Sequence, residues 1–221
     1  MDITLSGIDE RTELSFISNQ HSPEYAILLS GNPDGRNRYP SVEWIQKSIK
    51  ESARFAVHIC GSVARKNALA GDYTSILNSR TVDRIQVNGK VSMDELGKFI
   101  DLFPYTVIIT QDCPYNVELA KCSHWNHQIL IDGSGGRGIV RENWNLPEHL
   151  IGPSKVNKRI GFAGGLGLGN LKSAITDIEK LNLKREPWVD METSLRNKDD
   201  WFDVEVASEC VNIVKSTEVI F

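Results

Sequence analysis

The residues best able to do chemistry stand where short apolar runs give way to glycine. The most telling stretch is Arg159–Ala174, RIGFAGGLGLGNLKSA. Its apolar run, Ile160–Ala163, leads straight into Gly164-Gly165, and Asn170 stands as a cap before the amphipathic pattern Leu171, Ala174, Ile175 and Ile178. Glycines directly after a parallel strand let the backbone approach a ligand and aim N–H groups at it. The helix start beyond them adds its positive dipole end. That is the construction of a phosphate site, although a plain tight turn uses the same residues. Asp132 ends the run QILID and precedes GSGGRG, whose Gly133, Gly135 and Gly136 can close over a ligand. A carboxylate there serves as a general acid or base if partial burial raises its pKa, or else as a hydrogen-bonded turn residue. Arg38, in GNPDGRNRYPS, can clamp a carboxylate or phosphate through two N–H groups, or stand solvated in its loop. His58, inside FAVHIC, reads as a satisfied core histidine or a group aimed at a ligand. Cys60 is a candidate nucleophile or base, without a visible basic neighbour.

These groups need strands to hold them. Apolar runs predict strands at Ile3–Leu5, Tyr25–Leu29, Phe55–Ile59, Arg84–Val87, Thr106–Ile109, Gln128–Ile131, Arg159–Phe162 and Trp188–Met191. Helical patterns fill most gaps, at Glu10–Ser18, Ser41–Ser52, Tyr73–Ser79, Met93–Phe103, Asn116–Lys121, Leu171–Leu181 and Val204–Ser216. Ser41 and Ser92 read as N-caps. After the sixth strand, Trp144–Leu150 leaves room for only one or two turns. Alternating β and α elements argue for a parallel sheet, and eight strands in 221 residues argue for a closed (β/α)8 TIM barrel forming a single domain over residues 1–221. An open doubly wound sheet is the alternative, but no GxGxxG follows the first strand. In a barrel the chemistry comes from the carboxyl ends of the strands. Those ends read Ser6-Gly7, Ser30-Gly31, Cys60-Gly61, Asn88-Gly89, Gln111-Asp112, Asp132-Gly133, Gly164-Gly165 and Glu192-Thr193.

Composition narrows the classes. Apolar residues make up 40% and charged residues 24%, which is ordinary for a globular protein with a sizeable core. A net charge of −4, with basic residues scattered, gives no general attraction to nucleic acid or to a membrane surface. The N-terminal MDITLSGIDE has neither a basic region nor an apolar one, so no signal peptide is expected. The four cysteines show no CxxC pair and are expected as free thiols of a cytoplasmic protein. No metal-ligand spacing is evident, and neither a metal nor a cofactor is expected.

Five segments, in order, are similar to the phosphoribosylanthranilate isomerases, (β/α)8 enzymes of tryptophan biosynthesis. TLSGID resembles the family's opening strand, and GRNRYPS its arginine loop. LIDGSGGRGIVRENW resembles its aspartate-glycine-tryptophan segment, with one residue more before Trp144 than usual. GFAGGLGLGNLKSAI resembles its glycine turn, and VDMETSLRNKDDWFD its eighth strand and the loop beyond. The resemblance implies that Asp132 is the general acid and that Arg38 holds the substrate's carboxylate. It implies that Gly164, Gly165, Thr193 and Ser194 bind phosphate, and that Asp190 is the strand-eight aspartate that touches the substrate. Ser6 falls on the family's catalytic cysteine, and a hydroxyl is too weak a base unless another group activates it. Glu192 stands where the family presents a small residue to the phosphate. The expected ligand is a phosphorylated sugar or nucleotide-like small molecule, and the expected assembly a monomer or homodimer. Four roles follow: a divergent sugar-phosphate enzyme, isomerase-like in chemistry, with its base drawn from Cys60, His58, Asp190 or Glu192; a non-catalytic sensor or sequestering protein that keeps the pocket; the authentic isomerase with Ser6 in place of the family's base; or a partner-binding protein that uses exposed Trp125, Trp144 and Trp201.

Overall fold

Runs such as AILL and VIIT have no polar face to leave in water, so as strands they must be covered on both sides. The computed structural model describes residues 1–13, 23–32, 34–51, 55–132, 139, 143–151 and 158–217. It places eight such strands in one parallel sheet closed on itself. They are β1 (Asp2–Ile8), β2 (Glu24–Ser30), β3 (Phe55–Cys60), β4 (Val82–Val87), β5 (Val107–Asp112), β6 (His127–Asp132), β7 (Ile160–Ala163) and β8 (Trp188–Met191). Each strand pairs with its neighbour in sequence, and β8 meets β1 through Asp2↔Trp188, Ile3↔Val189, Thr4↔Asp190 and Leu5↔Met191. This is the (β/α)8 barrel that the alternation predicts.

Helices cover the outside: α1 (Val42–Glu51), α2 (Gly61–Ala70), α3 (Thr74–Leu77), α4 (Met93–Leu102), α5 (Leu171–Glu179) and α6 (Val204–Thr217). Their starts follow the expected chemistry. Ser92 closes a capping box with Glu95, and the Ser41 hydroxyl accepts from the Trp44 N–H. Departures have local causes. The 116–121 pattern is a 3-10 helix (Val117–Lys121), and after β6 only the short 3-10 turn Glu148–Leu150 is present among the described residues. The helix expected over Glu10–Ser18 lies mostly outside the described residues. Asn170 does not cap α5: its side chain accepts from the Gly167 N–H and donates to Gly165 O, fastening the preceding turn instead.

The apolar core has two parts. The larger lies between the sheet and the helices and includes Ile27, Phe55, Val57, Phe99 and Ile175, all fully buried. The smaller consists of Ile109, Leu130, Ala163 and Trp188, and fills the barrel interior beneath the mouth. The guanidinium groups of Arg84 and Arg159 lie 4.3 and 5.5 Å from the Trp188 ring. Trp144, expected as an exposed binding residue, is buried edge-on against Phe162 at 6.4 Å, because it covers the outer face that a full helix would cover elsewhere. Trp125 is 70% exposed, as expected, and Trp201 is half-buried beneath Arg11. No described helix is long and apolar enough to cross a membrane.

Candidate active site at the carboxyl ends of the strands

Polar side chains replace apolar ones at the last inward position of several strands. On β1 the regular pairing with β2 breaks between Ser6 and Ile8, at Gly7, whose φ is 92°. Bulges of this kind recur beside functional sites, where they end a ladder and re-aim side chains. Just before the break, the fully buried Ser6 donates from Oγ to Asp190 Oδ1 at 2.5 Å. The other oxygen of Asp190 accepts from Gln86 Nε2 at 3.4 Å. The same amide group lies 3.3 Å from His58 Nδ1 and 3.0 Å from Asn88 Oδ1. Burial pushes Asp190 up to about 6, against the lowering effects of Ser6, Arg84 and Gln86. At neutral pH it is therefore ionised and yet a much stronger base than an exposed carboxylate.

The neighbours are neutral. Burial pushes His58 down to about 4, leaving the uncharged imidazole whose Nδ1 can accept from Gln86. Burial pushes Cys60 up to about 12, so this candidate base stays a protonated thiol, donating to His58 O and accepting from Asn88. Asp132 ends β6, is 8% exposed and accepts from Gln111 Nε2 at 3.3 Å. Gln111 is held in turn by the Gly89 N–H at 2.8 Å. Asp132 and Asp190 line one cavity of about 190 Å³.

Backbone forms another wall of that cavity. Gly164 and Gly165 both have positive φ, 109° and 63°, a conformation that lets successive N–H groups converge on one side. Thr193 and Ser194 begin a 3-10 turn (Thr193–Leu195), whose first N–H groups have no acceptor within the turn. Gly164, Gly165, Thr193 and Ser194 all line the cavity, and Ser194 Oγ donates to Leu166 O, joining the two turns. Gly133, Gly135 and Gly136 lie outside the described residues.

Arg38 is already engaged. Its Nη1 lies 2.9 Å from Glu192 Oε1 and its Nη2 2.6 Å from Asp200 Oδ1. Glu192 thus directs its carboxylate to Arg38, and burial raises its pKa. The strap after β8 is fastened to β1 as well: Arg196 donates to Gly7 O and forms a buried ion pair with Asp9 at 2.8 Å. Among the described residues, no group of three or more His, Cys, Asp or Glu side chains could hold a metal.

By sequence, no protein-family model matches the chain, and no curated protein does. Solved structures do match. In fold, the chain is similar to the phosphoribosylanthranilate isomerases. Against monomers of the dimeric enzyme from Thermotoga maritima the TM-score is 0.68 at 13% identity, over 97% of this chain and 98% of that one. A phosphoribosylanthranilate isomerase in complex with reduced 1-(o-carboxyphenylamino)-1-deoxyribulose 5-phosphate gives 0.66 at 15% identity, over 98% and 99%. TrpF from Jonesia denitrificans gives 0.66 at 14%, over 99% and 98%. At these identities the likeness is one of fold.

Beside the phosphoribosylanthranilate isomerase pattern, the sequence places Asn88 and Gln111 at the rim without a role, and leaves out Gln86 and Asp200. Gln86 and Gln111 each donate to one of the two acids, Asn88 accepts from Gln86, and Asp200 pairs with Arg38. A signal was present for the glutamines. Each is a polar residue at an inward position of a barrel strand, in VDRIQV and VIITQD. No signal marked Asp200, which reaches Arg38 from 162 residues away.

Proposed function

We propose that the protein is an isomerase of phosphorylated sugar derivatives, working by proton transfer between C1 and C2 of an aldose-type substrate. One observation carries this assignment: the Ser6–Asp190 hydrogen bond of 2.5 Å, which gives the mouth of the barrel a base in the same cavity as Asp132. A serine alone lacks the base strength, and the buried aspartate supplies it. Asp132, as the acid, protonates the ring oxygen, and the C1–O bond breaks as the C1 substituent donates its electron pair. Asp190 then removes the C2 proton, directly or through the Ser6 hydroxyl, and the electrons form the C1–C2 double bond. Protonation at C1 with loss of the C2 hydroxyl proton yields the ketose. C2 is oxidised and C1 reduced within one molecule, so no external redox partner is consumed. The N–H groups of the Gly164-Gly165 and Thr193-Ser194 turns offer a phosphate hydrogen bonds, adequate for an anion in a polar pocket.

The deciding assay measures isomerisation of phosphoribosyl anthranilate and of simpler phosphoribosylamines by wild type, Asp190→Asn and Asp132→Asn. Turnover by wild type that falls at least about a hundredfold in both variants is the expected result. Ligand binding without any turnover would replace this function with that of a sensor or sequestering protein.

A further inference from the structure

A second cavity, of about 680 Å³, shares no lining residue with the one at the mouth and is the larger of the two. It borders the 3-10 turns Val117–Lys121 and Glu148–Leu150, which stand where the barrel fold places two of its covering helices. Much of the lining comes from the amino ends of strands: His124 and Trp125 precede β6, Lys158 precedes β7 and Arg185 precedes β8. The mouth lies at the carboxyl ends. A volume of this size is that of a small-molecule pocket.

The lining is one-sided in charge. Among the described residues it holds Lys121, His124, His149, Lys158 and Arg185, and no aspartate or glutamate. Two of these have a carboxylate close by: Lys121 Nζ lies 2.7 Å from Glu118 Oε2, and His149 Nε2 lies 2.7 Å from Asp112 Oδ1. Lys158 has no such balance. It is half-buried, donates to His127 O at 3.1 Å and to His124 O at 3.4 Å, and pairs with no described carboxylate. Two carbonyls leave the ammonium a third donor and its full charge. Burial lowers its pKa, which is the cost of holding a cation there without a counterion. Beside it stands an aromatic wall. Trp125 is 70% exposed, its ring 6.2 Å from that of His124. Lys158 is fastened to the carbonyl of the residue before Trp125, so ring and cation lie within the span of one small molecule.

We propose that this cavity is a second ligand site, separate from the barrel mouth, and that it takes a planar aromatic anion whose ring stacks on Trp125 and whose phosphate or carboxylate meets Lys158. A charge-assisted hydrogen bond supplies the anion with a partner, and stacking covers the exposed indole.

Titration calorimetry tests this with two anions and their neutral counterparts: AMP against adenosine, and 2-naphthoate against 2-naphthamide. At least one anion should bind wild type, at least about tenfold more tightly than its neutral counterpart. That affinity should fall at least about tenfold in Lys158→Gln and about fivefold in Trp125→Ala. Binding of AMP alone assigns a nucleotide phosphate, and binding of 2-naphthoate alone a carboxylate. Failure of both anions to bind overturns the proposal, and so does a neutral counterpart that binds equally well. An affinity that survives in either variant also overturns it, by placing the anion elsewhere, as at the glycine turns of the mouth. If Lys158→Gln does not fold, the largely exposed Trp125 and the wild-type comparison of anion with neutral ligand still decide.

Discussion

Burial raises the pKa of Asp190 to about 6, and the direction of that shift bears on stability and on chemistry in opposite ways. A carboxyl whose folded pKa lies above its unfolded value contributes stability that is fully present below the unfolded pKa and lost as pH rises through about 6. At neutral pH the ionised group therefore weakens the fold, and it is in this form that it is the base of the proposed reaction. Asp190→Asn carries no charge to desolvate and keeps an acceptor for Ser6. Calorimetry at pH 7.5 should show it more stable by about 1–2 kcal/mol, roughly 2–8 °C in Tm for a chain of this size. Should its Tm fall instead, the carboxylate is not the strained group described here. Turnover should follow the same ionisation, with kcat rising as pH increases through about 6. The Ser6 hydrogen bond holds that pKa down, so Ser6→Ala should move the acidic limb to higher pH and lower kcat about tenfold. A limb that stays in place would separate Ser6 from the base. Asp132 and Ser6 were legible in the sequence as strand-end residues, and Asp190 through the resemblance of VDMETSLRNKDDWFD to the family's eighth strand. The bond between Ser6 and Asp190 was not, because it spans 184 residues and exists only once β1 and β8 are in register.

At the level of elements, short apolar runs marked the eight strands; AILL and VIIT, covered on both faces, show no polar period, whereas VDRIQV alternates. The helix that escaped notice, α2, lacks the usual signals. It buries only Ala64 and Ala68, begins without a side-chain cap at Cys60, and opens on Gly61 with φ of 86°. What holds it is close approach: a Cβ on Gly31 would lie 2.6 Å from Val63 Cγ1 and 2.7 Å from the Ala64 nitrogen. Small residues carry little hydrophobic period, so such packing is invisible to pattern reading. A tighter contact governs the β7–β8 pairing. Gly161 stands opposite Trp188, where a Cβ would fall 2.2 Å from the indole. Gly161→Ala should therefore push the indole away from Arg84 and Arg159 and cost about 1–3 kcal/mol or more, read by urea unfolding. A near-neutral result would mean that β7 and β8 can separate without loss.

On the scale of the whole molecule, the closed ring decides which groups solvent can reach. All four cysteines are free, but burial pushes Cys60 up to about 12 and Cys210 to about 11. Only thiolate reacts with an alkylating reagent. Iodoacetamide at pH 8 should spare both residues in the native protein and modify them after denaturation, as peptide mapping would reveal. Rapid native labelling of Cys60 would contradict the packed mouth. The ring has a further consequence, for synthesis in the cell. β8 is the last of the eight barrel strands to be synthesised, and it brings Asp190 to Ser6. A chain with β1 to β7 assembled and β8 still absent has two unpaired sheet edges and lacks the Asp190 partner of Ser6. Assembly of the proposed base and protection from edge-to-edge aggregation thus arrive together, in one late event.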